Sequence, residues 1–390
     1  MVTITTADNA LKSFYLDAVV DSLNLEANPF LAQIMHSTND VVGKDVRRVV
    51  RYGVNGGVNA GTEAGSLPAA AENNYVQFVA PLKNLYGTIE ISDKALRASN
   101  TNEGAFVNLL NEEMDSLVKS AAYNLGRMLY GDGTGKVGTV LSCSGNVVKL
   151  DSVKNIVEGM VLDFYNASGA IVTAASGRRV KYVDRTANTV TLGGGAIASG
   201  AIAEDYVAYI QGSKDNELTG LGAIFADTGS LYGVDRTANP WLKPYKQDSV
   251  GELDELALQT AIDKIEEVSG SKINFIVCSW GVKRALAKAI KQGQSVVQTM
   301  EIKGGYTAMS FNGIPVVADR FCPEGTLYLL NTKDFKLHQL CDWQWLEGED
   351  GKILKQVSGK PVFSATLVKY AELLCDRPNG QGMLTGINEA

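Results

Sequence analysis

The chain has 390 residues, 36 of them Lys or Arg and 43 Asp or Glu, for a formal charge of −7; 45% are hydrophobic and 20% charged. These values are ordinary for a globular protein and exclude a disordered chain, which needs low hydrophobicity and high net charge. Five scattered cysteines exclude a disulfide scaffold. No apolar run reaches the roughly 18–20 residues of a membrane-spanning helix, and the start, MVTITTADNALK, lacks the basic and apolar regions of a signal peptide. Two to three domains are expected, and the 40 glycines, more than the usual share, need a place.

In chain order, Leu11, Phe14, Tyr15, Ala18, Val19 and Leu23 fall on one face of a helix over 7–24, which Asn28-Pro29 closes. Its polar face carries Asp8, Asp17 and Asp21 with a single lysine, so it is expected to pack on protein and not on anionic lipid. Residues 44–52 and 74–80 alternate as strands. Between them lies GVNGGVNAGTEAGSLPAAAE, which holds too little apolar volume for a core, and the pattern predicts a long hairpin standing away from the body. Phe106, Leu109, Leu110, Met114, Leu117, Val118, Ala121, Leu125 and Met128 keep a 3.6-residue period, predicting a long helix over 103–129 that a run of glycines (131, 133, 135) stops.

From 136 to 216 the chain changes character. Runs at 147–150, 160–165, 178–183, 189–192 and 206–210 alternate with turn residues, predicting a small β-barrel or sandwich. Beyond it, 251–269 reads as an amphipathic helix capped by Gly270, 273–278 as a buried strand, and Ser279 as the cap of a second helix ending near 291. Strands recur at 315–320, 326–330 and 361–370. The fold class is α+β with a β insertion. The hexapeptide Val183–Asn188 recurs at Val234–Asn239 with unrelated flanks, which predicts two similar turns and no duplicated domain.

The chemistry-bearing motifs fail. Two histidines, His36 and His338, have no partner at metal-ligand spacing, and HExxH and CxxC are absent. The GDGTGK at 131–136 follows a helix, has Tyr130 where a phosphate loop needs glycine, and continues into Val137 in place of Ser or Thr. Gly193-Gly194-Gly195 is followed by no helical pattern, which removes the dinucleotide reading. GxSxG is missing too. No catalytic, cofactor-binding or metal residue is assigned, and no cofactor is expected. Lys44, Arg47, Arg48 and Arg51 form a basic patch, but the chain is acidic and carries no nucleic-acid-binding motif; these bases are expected to meet acids on a neighbouring strand or subunit.

Taken in order, these segments resemble the major capsid proteins of tailed bacteriophages with the Hong Kong 97 fold. NALKSFYLDAVVDSLNLEANPFLAQI (9–34) looks like the family's N-terminal arm, 44–80 its E-loop, 103–129 with the exit LYGDGTG its spine helix, and FNGIPVVADR at 311–320 with CPEGTLYLLNTKDFKL after it the return strands. The resemblance covers roughly 1–135 and 217–380 and implies a division into an N-arm (1–43), E-loop (44–80), peripheral domain with spine helix (81–135), β insertion (136–216), linker (217–250), axial domain with return strands (251–345) and peripheral C-terminal strands with the tail (346–390). It implies subunit contacts through Arg47, Arg48, Arg51, Gly56, Gly57, Gly61, Gly65 and Leu67 of the E-loop and Leu11, Phe14, Tyr15 and Val19 of the arm, Phe106, Leu110, Met114, Leu117 and Leu125 as the spine-helix core, and a loop at 292–309 pointing towards the axis. The implied function is structural: pentamers and hexamers in an icosahedral shell in the virion, built in the host cytoplasm with scaffolding, portal and possible decoration proteins around double-stranded DNA held without sequence recognition, and no membrane. An encapsulin-type nanocompartment shares the fold and is the alternative; a soluble enzyme or carbohydrate binder with a β domain is the third reading. Some relatives join an E-loop lysine to a neighbour's asparagine, but 53–71 has no lysine, so no such cross-link is expected. The arm begins within ten residues of Met1, so a separate scaffolding protein is expected in place of a large propeptide.

Overall fold

A computed structural model describes residues 28–39, 41, 43–93, 103–292, 298–302, 306–348 and 351–390. The predicted arm helix, with Leu11, Phe14, Tyr15 and Val19, lies outside the described residues. Asn28-Pro29 opens a helix here: Asn28 Oδ1 accepts from Leu31 N–H at 3.0 Å and caps α1 (Pro29–Gln33), where proline at the first turn gives up no hydrogen bond. Then come β1 (Met35–Ser37), the paired strands β2 (Asp45–Tyr52) and β3 (Asn74–Pro81), β4 (Lys83–Ser92) and α2 (Glu103–Tyr130). The reading above passed over β4, although Leu85, Gly87, Ile89 and Ile91 alternate inward along it.

Six strands follow: β5 (Lys136–Ser144), β6 (Val147–Leu150), β7 (Val161–Tyr165), β8 (Arg178–Asp184), β9 (Thr189–Leu192) and β10 (Val207–Ile210). They close into a barrel in the order β10-β5-β6-β9-β8-β7, filled by Val140, Val148, Leu150, Leu162, Phe164, Val180 and Val190. Closure removes the exposed edges of so short a sheet.

The return segment carries α3 (Leu221–Ile224), β11 (Ser230–Leu231), β12 (Val234–Asp235) and β13 (Tyr245–Gln247). The two hexapeptides do make like turns. Asp184 Oδ1 accepts from Thr186 and Ala187 N–H at 2.9 and 3.0 Å, and Asp235 accepts from Thr237 and Ala238 N–H at 3.0 and 3.3 Å. In the second copy Arg236 is fully buried and donates to the carbonyls of Ala223, Ile224 and Thr228, closing the end of α3.

Next are α4 (Glu255–Ser269), β14 (Phe275–Cys278), α5 (Trp280–Gln292), β15 (Gln298–Ile302), β16 (Tyr306–Phe311), β17 (Ile314–Ala318), β18 (Leu327–Leu330), β19 (Phe335–Trp345), β20 (Lys355–Gln356), β21 (Val362–Cys375) and β22 (Gly382–Leu384). Asp254 accepts from Ala257 N–H at 2.6 Å and caps α4, which begins four residues after the expected start; Gly270, at φ +65°, ends it. The segment expected to be a loop, 292–309, instead holds β15 and part of β16, paired antiparallel from Gln298↔Ser310 to Ile302↔Tyr306. Alternation in QTMEI and YTAMSF is the signal that the polar flanks concealed.

Two sheets carry the body. One is five-stranded, in the order β1-β19-β21-β20 with β4 on the other edge of β21. The second runs β13-β22-β18-β14-β17-β16-β15. Its one face packs under α4 and α5 through Leu258, Ile265, Val282, Leu286, Ile276 and Leu329. Its other face, with Phe275, Val277, Tyr328 and Leu330, joins α2 and the five-stranded sheet in the largest core. A Cβ at Gly87 would lie 3.1 Å from Leu117 Cδ1, so glycine is what lets α2 settle onto β4.

Candidate functional site

The hairpin of β2 and β3 keeps unbroken register from Asp45↔Pro81 to Tyr52↔Asn74. Directly opposed residues share a face. One face carries Val46, Phe78 and Ala80, all buried, with Val50 and Val76 against the same core. Phe78 meets Tyr232 at 5.5 Å between ring centroids, and Tyr52 stacks on Trp241 at 4.5 Å with planes 2° apart. Arg48, on this face, donates to Asp376 Oδ2 at 2.9 Å. The stem is therefore anchored to its own chain, and the acid facing Arg48 comes from the segment after β21.

The other face is exposed: Arg47, Val49, Arg51, Tyr75 and Gln77. Among the described residues Arg47 pairs with Asp45 at 3.3 Å, its own side chain mostly in solvent, a pair of little energetic weight. Beyond the stem, 53–73 forms no regular structure. Asn55 ties the tip's two sides together, donating from Nδ2 to Ala71 O at 2.9 Å and accepting Gly57 N–H on Oδ1 at 2.8 Å. Val54, Val58 and Leu67 are 87%, 85% and 91% exposed. Residues 53–82 contain Glu63 and Glu72 and no cation.

The glycines of the tip divide. At Gly57 a Cβ would lie 3.0 Å from Asn55 Oδ1 and 3.3 Å from Ala71 N, and at Gly65 one would lie 2.6 Å from Thr62 Oγ1. A Cβ at Gly56 would make only an ordinary contact with Ala71, and one at Gly61 would meet nothing within 4 Å. Gly53, at φ +67°, is held by its backbone conformation instead, so within this chain Gly53, Gly57 and Gly65 have a local reason to be glycine and Gly56 and Gly61 have none.

In α2, Met114 and Leu125 are buried and Leu117 lies half-buried against Gly87. Phe106 and Leu110 fall in its first turns, and their side chains lie outside the described residues. Its far end is where the barrel leaves and rejoins the body. Arg127 and Glu217, 3% and 2% exposed, form a two-pronged pair, with Nη1 to Oε2 at 2.9 Å and Nη2 to Oε1. Tyr130 donates to Asp319 Oδ2 at 2.9 Å. A Cβ at Gly220 would fall 2.3 Å from Met128 O and 2.6 Å from Gly131 O, so the returning chain passes directly over the last carbonyls of α2. Asp215 N–H donates to Thr134 O at 2.8 Å, joining the two strands of the connection. The barrel also holds the body through Lys154 Nζ, which donates to Cys322 O at 2.6 Å.

Two buried carboxyls sit near this junction. Burial pushes Asp319 up to about 6, against the lowering effect of hydrogen bonds from Phe321 N–H and Tyr130. Burial likewise pushes Glu372 up to about 7, although its Oε1 accepts from Thr219 N–H at 2.7 Å. Among the described residues no group of three or more His, Cys, Asp or Glu is placed to hold a metal ion, and no helix is long and apolar enough to cross a membrane.

No protein-family model and no curated protein matches the sequence. Among solved structures, a chain of the cyanophage A-1(L) capsid asymmetric unit aligns over 94% of this chain and 92% of its own, at 12% identity and a TM-score of 0.54. The chain has a phage-capsid fold. A chain from Mycobacterium phage Bobi aligns over 94% and 92% at 9% identity with a TM-score of 0.48. One from the holo-SrpI encapsulin complex of Synechococcus elongatus aligns over 93% and 89% at 10% identity with a TM-score of 0.46.

On this capsid fold, sequence reasoning passed over Trp241, Tyr232 and Asp376, which anchor the hairpin stem, and the Arg127–Glu217 pair. Each partner stands 90 or more residues from the other, and nothing local marks such a pair. Val54 is different: it stands in a segment without core-forming neighbours, and that was visible.

Proposed function

We propose that this chain is the major capsid subunit of a tailed phage, a structural protein that assembles into the head shell. The observation that carries the reading is the hairpin on a capsid fold. Its stem is fixed to its own chain by Phe78, Tyr52 and Arg48, while its tip holds Val54, Val58 and Leu67 almost fully in water. Burying one such side chain is worth about 1.5–3 kcal/mol, so the tip keeps several kcal/mol for a surface on another copy.

In this reading 1–43 is the arm, 44–80 the E-loop, 81–135 the spine-bearing part of the peripheral domain and 346–390 its C-terminal strands, with 217–250 leading into an axial domain at 251–345. The barrel, 136–216, is an insertion that buttresses the spine exit. Pentamers and hexamers close the shell with scaffolding and portal proteins and possible decoration proteins, in the host cytoplasm, and the DNA is enclosed without base recognition. No reaction is assigned to it. With no lysine in 53–71, the shell is held without the lysine–asparagine link some relatives make, and its subunits run as monomers in denaturing gels; a covalent ladder refutes this point.

Electron microscopy of the purified, concentrated chain tests the function, with uniform closed shells as the expected result. Shells that form with a cargo enzyme inside and no genome support the nanocompartment instead. A monomer under all assembly conditions refutes both.

A further inference from the structure

The two helices that cover the outer face of the seven-stranded sheet carry opposite charge. On α4 and the turn before it, Glu252, Asp254, Glu255, Asp263, Glu266 and Glu267 are all exposed, against one lysine, Lys264. On α5 there are four cations and no acid. Trp280, Arg284, Lys288 and Lys291 recur at helical spacing and are exposed, so they form a single stripe. Each helix also exposes apolar surface beside its charges: Leu256 is 73% and Val268 79% exposed on α4, and Trp280 is 57% exposed on α5. Among the described residues no ion pair joins α4 to α5. The buried sides of both helices are already committed to the sheet through Leu258, Ile265, Val282 and Leu286.

Their positions on the sheet matter as much as their charge. Helix α4 lies over β22 and β13 at one end of the strand order; a Cβ at Gly382 of β22 would fall 2.4 Å from Ile265 Cδ1. Helix α5 lies over β17, toward the other end. The two helices also touch each other, so the acidic and the basic stripe lie side by side on one face of the sheet. Two different complementary patches let the acidic stripe of one copy meet the basic stripe of another, a contact between two copies of one chain.

We propose that α4 of one copy docks against α5 of the next, with Asp263 and Glu267 facing Lys288 and Lys291, and Trp280 packing among Leu256 and its neighbours. The occupant of each surface is a second copy of this chain, and the proposal rests on the assembly reading above. Charge complementarity of this sort fixes register and speeds encounter, and like charges placed opposite each other are strongly disfavoured.

The test uses full-length chain. Lys288→Glu with Lys291→Glu, and separately Asp263→Lys with Glu267→Lys, are each expected to raise the critical concentration for assembly by roughly tenfold or more. The four changes together are expected to bring it back to within about threefold, since the pairing is restored with its sign reversed. Sedimentation velocity reads the assembled fraction, and circular dichroism checks that unassembled subunits keep their fold. Zero-length carbodiimide coupling of wild-type shells, built from mixed light and heavy-isotope subunits, gives a second reading that needs no variant: peptides of α4 and α5 joined between copies are expected. If shells form and both reversals assemble like wild type, or no α4–α5 peptide joins two copies, this contact is wrong while the assembly reading stands. If reversal on α5 spares the shell but lowers its nucleic-acid content, the basic stripe faces nucleic acid and the proposal fails. If wild-type chain never assembles, the assembly reading falls and takes this contact with it.

Discussion

Replacing Arg127 with methionine removes the guanidinium from a pair in which both side chains are 3% exposed or less. Glu217 then keeps a carboxylate in the core with no cation beside it, at the place where the chain returns from the barrel. Breaking one side of a buried pair costs about 3–5 kcal/mol, chiefly through the stranded charge. At about 2.1 cal/mol/K of unfolding entropy per residue, the 390-residue chain loses about 1.2 °C of unfolding midpoint per kcal/mol, so a drop of about 4–6 °C is expected. Removing both charges, as Arg127→Met with Glu217→Met, leaves no stranded ion and is expected to recover most of the loss. Calorimetry of unassembled subunits gives the midpoints. A single variant that loses under about 1 kcal/mol, or a double variant that loses as much as the single, would show that the pair does not hold the barrel's return to α2.

Three further outcomes follow from the same geometry. Asp319 and Glu372 have folded-state values of about 6 and about 7, above their ordinary carboxyl values, so the folded chain holds these protons longer than the unfolded one. Their stabilising effect is complete below about pH 4 and is lost as pH rises through 6 to 7; thermal midpoints should fall over that window, and Glu372→Gln should flatten the fall, whereas an unchanged slope removes Glu372 from the account. Serine at positions 54, 58 and 67 together should leave the unassembled subunit within about 0.5 kcal/mol per site of wild type while abolishing shells, so shells of normal yield would mean the tip is not a contact. Gly220→Ala drives a methyl into the carbonyls of Met128 and Gly131 and should cost about 1–3 kcal/mol by overpacking; a silent change in a urea titration would contradict the close crossing.

What was legible in the sequence is what local pattern encodes. The 3.6-residue period from Met114 to Met128 marks α2, alternation marks β2 and β3, and turn residues spaced between short apolar runs mark the barrel. Strand β4 was missed because a glycine, Gly87, stands at an inward position where an apolar residue would complete the alternation, and the reason for that glycine is Leu117 on another element. The hairpin formed by β15 and β16 was hidden by polar residues, which an edge strand tolerates because one side of it meets solvent. At the hairpin, the exposed tip followed from composition, since Val54, Val58 and Leu67 stand among residues that cannot surround them. The anchor did not: Trp241, Tyr232 and Asp376 meet the stem only through the folded topology. The charge contrast between α4 and α5 was in the sequence throughout, but its meaning needs the folded arrangement, which sets the two helices side by side over one sheet.

The proposed product of assembly is a closed shell built from copies of this chain. Electron microscopy of the concentrated, purified protein, with scaffolding protein added where it does not assemble alone, tests that most directly. Uniform closed particles whose walls show pentameric and hexameric clusters are expected. Monomers or small oligomers under every condition, with the subunits fully folded, would contradict it.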